Sequence, residues 1–364
     1  MLKVSSLYRS SQDVTKLRTT ISRVLRSRYA STCSAAFKPR RSLTALGLVG
    51  GGSLVAAYFF WPDVSRSAPT YADVALSPAH FTPVTVTASE PCSDPNTRLM
   101  TLTVPQHLLP PLDGSVFAPI WSIFIKDDDI QVERPYTPLE GIDEAGRMKF
   151  WIKRYPRGEV GRWLHSKNVG ETIEIRGPLR TWTWLEEGGW DEVVMVSGGT
   201  GITPFCQLLH SVLLSRAERQ PSTHFTLLHS SRVPGELPPP ELLQPLIKHA
   251  SAHPESLSIS WFVDTKDGSA AEAVARDEIR QGRIGQADIR RALGDGGESS
   301  WWQKLLRVTA KQPQLADRKL LVLVCGPETM INAIAGPYGR NYSQGPVGGI
   351  LGELGLKPSQ VWKL

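Results

Sequence analysis

The sequence predicts two folded domains behind a membrane-tethered lead: a small antiparallel β-barrel, then an α/β domain built on a parallel sheet. Three observations predict it. Between residues 84 and 175, short runs alternate apolar and polar side chains with period two and are punctuated by Gly and Pro, as antiparallel strands covered on one face do. From residue 191 onward the runs become continuously apolar and alternate with helical segments, the signature of a buried parallel sheet flanked by helices. Ahead of both, residues 43–61 are nineteen residues without a charge. As a helix rising ~1.5 Å per residue they cover ~28 Å, about one bilayer core.

The lead comes first. Residues 1–41 carry ten Lys/Arg against a single acid, Asp13, a charge of +9 that leaves −3 for the rest of a 364-residue chain whose total is +6. A segment rich in Arg, Ser and Thr and almost without acids reads as a mitochondrial presequence and basic lead, with Arg28-Tyr29-Ala30-Ser31 as its processing site. The mildly acidic body gives no reason to expect nucleic-acid binding. Lys38, Arg40 and Arg41 flank the start of the uncharged stretch 43–61, and Trp61-Pro62 closes it. That stretch reads as a single transmembrane helix, and the positive-inside rule places residues 1–41 in the matrix and the body in the intermembrane space. Residues 62–77, rich in Pro, Ser and Ala, read as a linker. The four cysteines are widely spaced without a CxxC pair, and the eight histidines form no ligand-spaced cluster. No metal site is expected.

Residues 78–188 are assigned to the barrel, with strands expected at Val84–Thr87, Leu99–Val104, Trp121–Ile125, Phe150–Lys153 and Thr172–Ile175. The stretch Arg134-Pro135-Tyr136-Thr137-Pro138 lies between two of them. Its prolines hold the backbone extended and remove two ladder donors, which suits the end of an edge strand. Alternate side chains of an extended segment share a face, so Arg134 sets a cation beside the Tyr136 ring, and Thr137 adds a hydroxyl on the other side. Such a surface suits a ligand with a diphosphate and a flat ring. Downstream, Lys153-Arg154-Tyr155-Pro156-Arg157-Gly158-Glu159-Val160-Gly161 opens a helix, and free N–H groups at a helix start attract anions.

Residues 189–364 are assigned to the α/β domain. The strand Asp191–Ser197 runs into Gly198-Gly199-Thr200-Gly201-Ile202-Thr203-Pro204-Phe205 and then an amphipathic helix, Cys206–Leu214. Strand, glycine turn and helix let backbone approach a phosphate at the helix start. Further strands are expected at His224–Leu228, Leu257–Val263 and Leu320–Val324, with a helix at Pro240–His249. Ser230-Ser231-Arg232 ends the second strand, and Cys325-Gly326-Pro327-Glu328-Thr329-Met330 ends the last. Ligands of open α/β sheets bind at strand C-termini. Residues 264–318 read as irregular, with Trp301–Leu306 either covering the sheet or touching the membrane.

Arg134-Pro135-Tyr136-Thr137-Pro138, Gly198-Gly199-Thr200-Gly201-Ile202-Thr203-Pro204 and Cys325-Gly326-Pro327, in this order, resemble the ferredoxin reductase superfamily in its NADH–cytochrome b5 reductase branch. The resemblance spans about residues 80–364. It implies an FAD-binding β-barrel domain and an NAD(P)-binding domain in an FAD-dependent NAD(P)H oxidoreductase that passes electrons to a haem-type one-electron acceptor. By the same resemblance Arg134 meets the FAD pyrophosphate, Tyr136 lies against the isoalloxazine, and Thr137 hydrogen-bonds near the reactive ring nitrogen. Pro135, Lys153, Tyr155, Gly158, Val160 and Gly161 complete the flavin site. Gly198, Gly199, Thr200, Gly201, Thr203, Pro204, Ser231, Arg232, Gly326, Pro327 and Met330 hold the nicotinamide nucleotide, and Cys325 stands beside the nicotinamide as a second catalytic residue with Thr137.

The chain departs from the family at three places. Val160-Gly161 replaces a Met-Ser pair and loses a hydroxyl. Arg180 stands where Arg176-Gly177-Pro178 is ordinarily followed by Gly, and Thr181-Trp182-Thr183-Trp184 then either shapes an acceptor site or packs a domain junction. The tail ending Val361-Trp362-Lys363-Leu364, in which Trp362 is placed over the flavin or simply packed, resembles a fungal branch anchored in the mitochondrial inner membrane that supports haem attachment to apocytochrome c. The expected acceptor is accordingly the apocytochrome c and haem lyase system. Cytochrome b5 in general redox metabolism, or a non-catalytic membrane-tethered scaffold, are the alternatives. NADH and NADPH remain open, since Arg232 is able to accept a 2′-phosphate.

Overall fold

The computed structural model of the chain describes residues 68–111, 117–129, 131–183, 189–215, 222–294 and 318–364. The basic lead 1–41, the uncharged stretch 43–61, Trp184 and the patch 301–306 lie outside them. Among the described residues no helix is long and apolar enough to cross a membrane.

Six strands form the first sheet: β1 (Thr82–Pro91), β2 (Thr97–Thr103), β3 (Ile120–Lys126), β4 (Glu133–Tyr136), β5 (Arg147–Lys153) and β6 (Thr172–Trp182). They are antiparallel, in the order β4-β3-β6-β1-β2-β5, with β4 and β5 as edges. Period-two alternation sends Val84, Val86, Met100, Leu102, Ile123, Ile125, Met148, Phe150, Ile173 and Ile175 into one core. Helix α1 (Glu159–Ser166) closes that core with Val160, Trp163 and Leu164. The segment read as a linker is already packed here: Leu76 is buried in this core and its N–H donates to the Leu108 carbonyl.

Strand β6 runs well past the expected Ile175, through Gly177-Pro178 to Trp182, pairing with β3. Glycine permits this, because a Cβ at Gly177 would lie 2.8 Å from Ile123 Cγ2. Trp182, half-buried, ends against the core of the second sheet, so of the two readings of that segment it is the packed junction that this side chain occupies.

The second sheet is wholly parallel, in the order β10-β9-β8-β7-β11-β12. Its strands are β7 (Glu192–Gly198), β8 (His224–Ser231), β9 (Leu257–Val263), β10 (Ile279–Gln281), β11 (Leu320–Cys325) and β12 (Val361–Lys363). Helices α2 (Thr203–Leu209) and α3 (Pro240–Ala252) cover one face; α4 (Gln286–Ala292), α5 (Glu328–Ala335) and α6 (Gly349–Glu353) cover the other. The region read as irregular, 264–318, therefore contributes a strand and a helix. Both are short, which is why periodicity did not reveal them.

The helix expected as an amphipathic Cys206–Leu214 differs in kind. It begins at Thr203, turns π-helical over His210–Leu214, and is buried at every position from Thr203 to Leu209. It has no solvent face because the first sheet covers the side that would otherwise be wet. Leu99, Ile120, Leu139 and Trp151 share one core with Phe205, Cys206, Leu208 and Leu209, and Gln207 Oε1 accepts the Trp121 N–H at 2.8 Å. The two sheets thus belong to one compact unit.

A buried charge cluster also crosses this seam. Lys153 Nζ, at the end of β5, lies 3.1 Å from Glu236 Oε2 beyond β8 and 3.2 Å from Asp94 Oδ2 in the β1–β2 turn, both contacts being ion pairs without hydrogen-bond geometry. Removing one member of a buried pair leaves uncompensated charge, which costs several kcal/mol. Lys153→Met should therefore lose about 3 kcal/mol of stability in urea unfolding. Arg232→Met, at an exposed pair, should lose under about 1 kcal/mol.

Candidate functional site

The strand order places the site. From β7 the chain steps to β8 on one side, while β11 pairs on the other, so β7 and β11 flank the point where the winding reverses. Ligands of such sheets bind there, outside the strand C-termini. The two segments found in that place are Gly198-Gly199-Thr200-Gly201 and Cys325-Gly326-Pro327.

These segments touch backbone to backbone. A Cβ on Gly201 would overlap the Cys325 carbonyl oxygen, one on Gly326 would lie 3.0 Å from the Gly198 N, and one on Gly198 would lie 2.8 Å from Met330 Sδ and 3.0 Å from Pro327 Cδ. Gly199 serves differently. Its φ is +54°, and a Cβ there would meet only the Tyr155 hydroxyl, at 3.8 Å, so the turn presents open space in front of its backbone. The Thr203 hydroxyl donates to the Thr200 carbonyl at 3.1 Å and Pro204 enters the first turn of α2. Both shape the turn. Cys325 is half-buried, and burial pushes its thiol up to about 12, so it stays a neutral thiol near neutral pH.

On the first sheet, β4 is an edge strand. Arg134 stands opposite Ile125 and Tyr136 opposite Ile123, so the two share a face, with Pro135 opposite Phe124 on the other. Tyr136 packs half-buried against the barrel core. Burial holds its hydroxyl above the usual tyrosine range; Arg134 pulls against this and Tyr155 adds to it. The Tyr155 hydroxyl lies 3.5 Å from Thr200 Oγ1. Arg134, Tyr136, Tyr155, Thr200 and the glycine turn therefore form one continuous line across the seam.

Helix α1 begins at Gly158 without a side-chain cap, which leaves its first N–H groups free for an anion. Arg134 and Arg157 have no carboxylate partner among the described residues; Arg134 donates only to the Glu133 carbonyl, at 2.9 Å. A free helix start, unpaired guanidiniums and an aromatic plate fit a ligand carrying a diphosphate and a flat ring. The Val160 side chain is buried in the barrel core, so at that position only main chain faces a ligand. Gly161 has a steric cause: a Cβ there would lie 2.9 Å from the Lys153 carbonyl oxygen.

Three expected ligand contacts are already engaged by protein. Lys153 is held by Asp94 and Glu236. Arg232 forks onto Glu236 through Nε, at 2.9 Å, and Nη2. Ser231 donates to the Glu236 carbonyl at 3.2 Å. Beneath them His229 is fully buried, its Nδ1 2.8 Å from Ser197 Oγ and its Nε2 3.2 Å from Ser231 Oγ. Burial pushes this imidazole down to about 3 from 6.5. With the ring neutral, the geometry fits Ser197 donating to Nδ1 and Nε2–H donating to Ser231.

Trp362 pairs with Leu323 on β12, two residues short of Cys325, and is 37% exposed. The residue level with Cys325 is Leu364, whose N–H donates to the Val324 carbonyl at 2.9 Å and whose side chain packs on the same core as Cys325. Neither Leu364 nor Glu236 was singled out from sequence. The Arg-x-x-x-Glu spacing of 232–236 was the available signal for Glu236, whereas Leu364 needed the β11–β12 register.

Residues 85–184 match the oxidoreductase FAD-binding domain family and residues 195–336 the oxidoreductase NAD-binding domain family. The NADH-cytochrome b5 reductase 2-A of Vanderwaltozyma polyspora is 29% identical over 240 residues, 66% of this chain and 70% of that protein. The NADH-cytochrome b5 reductase 2 of Mycosarcoma maydis is 29% identical over 240 residues, 66% of this chain and 59% of that protein. The cytochrome b5 reductase domain of Ulva prolifera nitrate reductase superposes with a TM-score of 0.56 at 18% identity, covering 80% of this chain and 100% of that one. The CS-b5R domains of human Ncb5or, in the NAD+ form, give 0.54 at 17% identity, covering 80% and 70%. Identities this low carry the fold alone.

Two outcomes are expected. Gly161→Ser should gain no flavin affinity and lose roughly 1–3 kcal/mol, since the new Cβ displaces β5; flavin titration and urea unfolding would check both. For His229, the unfolded chain takes up a proton below about pH 6.5 that the folded chain refuses until about 3. Its stabilisation is thus complete above pH 6.5 and lost as pH falls through that window. In His229→Asn, proton uptake on unfolding between those pH values should drop by close to one, read from the pH dependence of the denaturation midpoint.

Proposed function

Because the chain belongs to the FAD- and NAD-binding oxidoreductases of the ferredoxin reductase type, as an NAD(P)H-dependent flavoprotein reductase, we propose that it delivers electrons from NAD(P)H to a haem protein. The observation that carries this reading is the 3.5 Å approach of the Tyr155 hydroxyl to Thr200, which joins the Arg134–Tyr136 strand to the glycine turn. Ligands seated on the two surfaces would meet at that line.

In this reading Arg134, Arg157 and the start of α1 hold the FAD pyrophosphate. Tyr136 and Thr137 fix the ring system, and Tyr155 positions it against Thr200. The Gly198–Gly201 backbone and Pro204 seat the nucleotide pyrophosphate, with Gly326, Pro327 and Met330 walling the nicotinamide end. Cys325 contributes a neutral thiol beside it, and Leu364 packs at the same level. FAD, when bound, supplies the change from a two-electron donor to a one-electron acceptor, while the chain supplies orientation and exclusion of water.

We further propose that the acceptor is the system that attaches haem to apocytochrome c, and that residues 43–61 tether the chain in the mitochondrial inner membrane with its body in the intermembrane space. The basic lead, the uncharged stretch and the Val361–Leu364 tail support this. Cytochrome b5 is the competing acceptor, favoured by the relatives' names. A deletion strain that loses c-type cytochrome while b5-dependent pathways persist supports the first; the converse supports the second. A C-terminus that resists protease after rupture of the outer membrane would exclude the orientation.

The full chain should purify yellow and bleach anaerobically with NADH or NADPH. Arg134→Ala should weaken FAD binding roughly ten- to a hundredfold, the worth of a hydrogen bond to a charged group. A colourless preparation that ignores added FAD would end the reading.

A further inference from the structure

Lys363 carries a buried charge that the site described above does not use. It is 3% exposed. Its ammonium donates to three main-chain carbonyls, Pro337 at 2.6 Å, Gly336 at 3.3 Å and Pro346 at 3.4 Å. Only the charged form brings three N–H donors, and here all three are used. No carboxylate faces it among the described residues, and burial holds its pKa below the usual lysine range. Burying a charge is costly unless its hydrogen bonds are made, so the ammonium ties β12 to residues 336–346 in one arrangement.

Those residues directly follow α5, the helix that begins at Cys325-Gly326-Pro327. Carbonyls at a helix C-terminus lack intrahelical partners and carry the negative end of its dipole, and the ammonium satisfies both. The same loop clasps β12 at two further points. The Gln344 side-chain amide takes the place of a neighbouring strand, accepting the Lys363 N–H at 2.7 Å and donating to the Lys363 carbonyl at 2.8 Å. The Tyr338 hydroxyl donates to the Leu364 carbonyl at 2.8 Å. Burial first, then Cys325 and Glu328 nearby, push this hydroxyl up to about 12, so it stays a donor near neutral pH.

The contacts close a circuit. Cys325 leads into α5, the end of α5 is gripped by Lys363, and Lys363 pairs with Val324, one residue before Cys325. The ladder of β12 is only three residues long, so the loop does much of the holding. Leu364 then falls beside Cys325, ~4.8 Å away across the ladder.

Resting on the reductase reading above, we propose that Lys363 is a positioning residue for hydride transfer: its ammonium locks the loop after α5 onto β12 and so sets Cys325 and Leu364 as a fixed wall for the nicotinamide. Tyr338 and Gln344 complete the clasp. The glycine turn that seats the other end of the nucleotide is built on β7 and α2. Loss of the ammonium therefore costs alignment more than binding.

Two measurements on the full chain test this. The first needs no cofactor: alkylation of Cys325 by iodoacetamide, located by mass spectrometry, with Cys92 as the internal reference. A reagent reaches a buried thiol through local opening, so in Lys363→Ala the Cys325 thiol should react roughly tenfold faster or more. n-Propylammonium, which replaces the missing ammonium and its stem, should slow the reaction again; propanol, of the same size without the charge, should not. The second is anaerobic bleaching of the bound flavin by NADH, or by NADPH if that is the nucleotide the wild type uses. In Lys363→Ala the limiting rate should fall roughly tenfold or more, since small misplacements of reacting groups are costly, while the half-saturating concentration should change less than about threefold. Tyr338→Phe leaves the ammonium in place and should move both readouts the same way by roughly three- to fivefold, the worth of one hydrogen bond; it decides the matter if Lys363→Ala does not fold. Unchanged Cys325 alkylation in every variant that folds, rescue by propanol as complete as rescue by n-propylammonium, or a loss confined to the half-saturating concentration would each overturn the proposal. A wild type bleached by neither nucleotide would instead remove the reductase reading beneath it.

Discussion

Helix α2 is buried along its whole length because two sheets claim it. One side packs on β7, β8 and β11; the other receives Leu99, Ile120, Leu139 and Trp151 from the antiparallel sheet. Everything the site does depends on this shared helix. It starts directly from the glycine turn, so whatever holds the helix also fixes the turn relative to β4 and β5. The Gln207–Trp121 hydrogen bond adds a directional contact to an otherwise apolar seam. A fully buried helix tolerates little sliding, since close-packed interiors have low compressibility.

At the sheet's winding reversal, backbone rather than side chain meets backbone. Gly198, Gly201 and Gly326 let the segments after β7 and β11 abut, which clears a floor in front of Gly199. The titratable groups around that floor are kept neutral: the Cys325 thiol is pushed up and the His229 imidazole pushed down, both by burial. A site whose redox chemistry belongs to a cofactor needs shape and a steady field more than proton donors.

The cations divide into two groups. Arg134 and Arg157 sit at the β4 edge and the α1 start without carboxylate partners among the described residues, leaving a positive field for an anion. Lys153 and Arg232 are tied to Glu236, and through Lys153 to Asp94. The first group attracts; in the second, Lys153 bridges the two sheets, and its charge and that of Arg232 are matched in number by two carboxylates.

Much of this was legible in sequence. Period-two runs placed five of the six antiparallel strands. Continuous apolar runs placed β7, β8, β9 and β11, and the strand–glycine–helix order placed the turn at Gly198–Gly201. What the one-dimensional pattern missed is informative. Short elements such as β10, β12 and α4 carry too few residues for a period to show. The amphipathic reading of Cys206–Leu214 failed because periodicity reports one apolar face, whereas a second sheet covered the other. Lys153 read as a ligand-facing cation because nothing local reveals carboxylates arriving from another strand and turn, whereas the partner of Arg232 stands only four residues on, at Glu236. By itself the sequence determined which segments are strands, where glycine and proline interrupt them, and which residue types stand at strand ends, since these follow from local sterics and burial pattern. Only the tertiary structure decided which charges are free and which cancel, and that Leu364 rather than Trp362 stands level with Cys325, because both are set by register and by contacts between residues far apart in the chain.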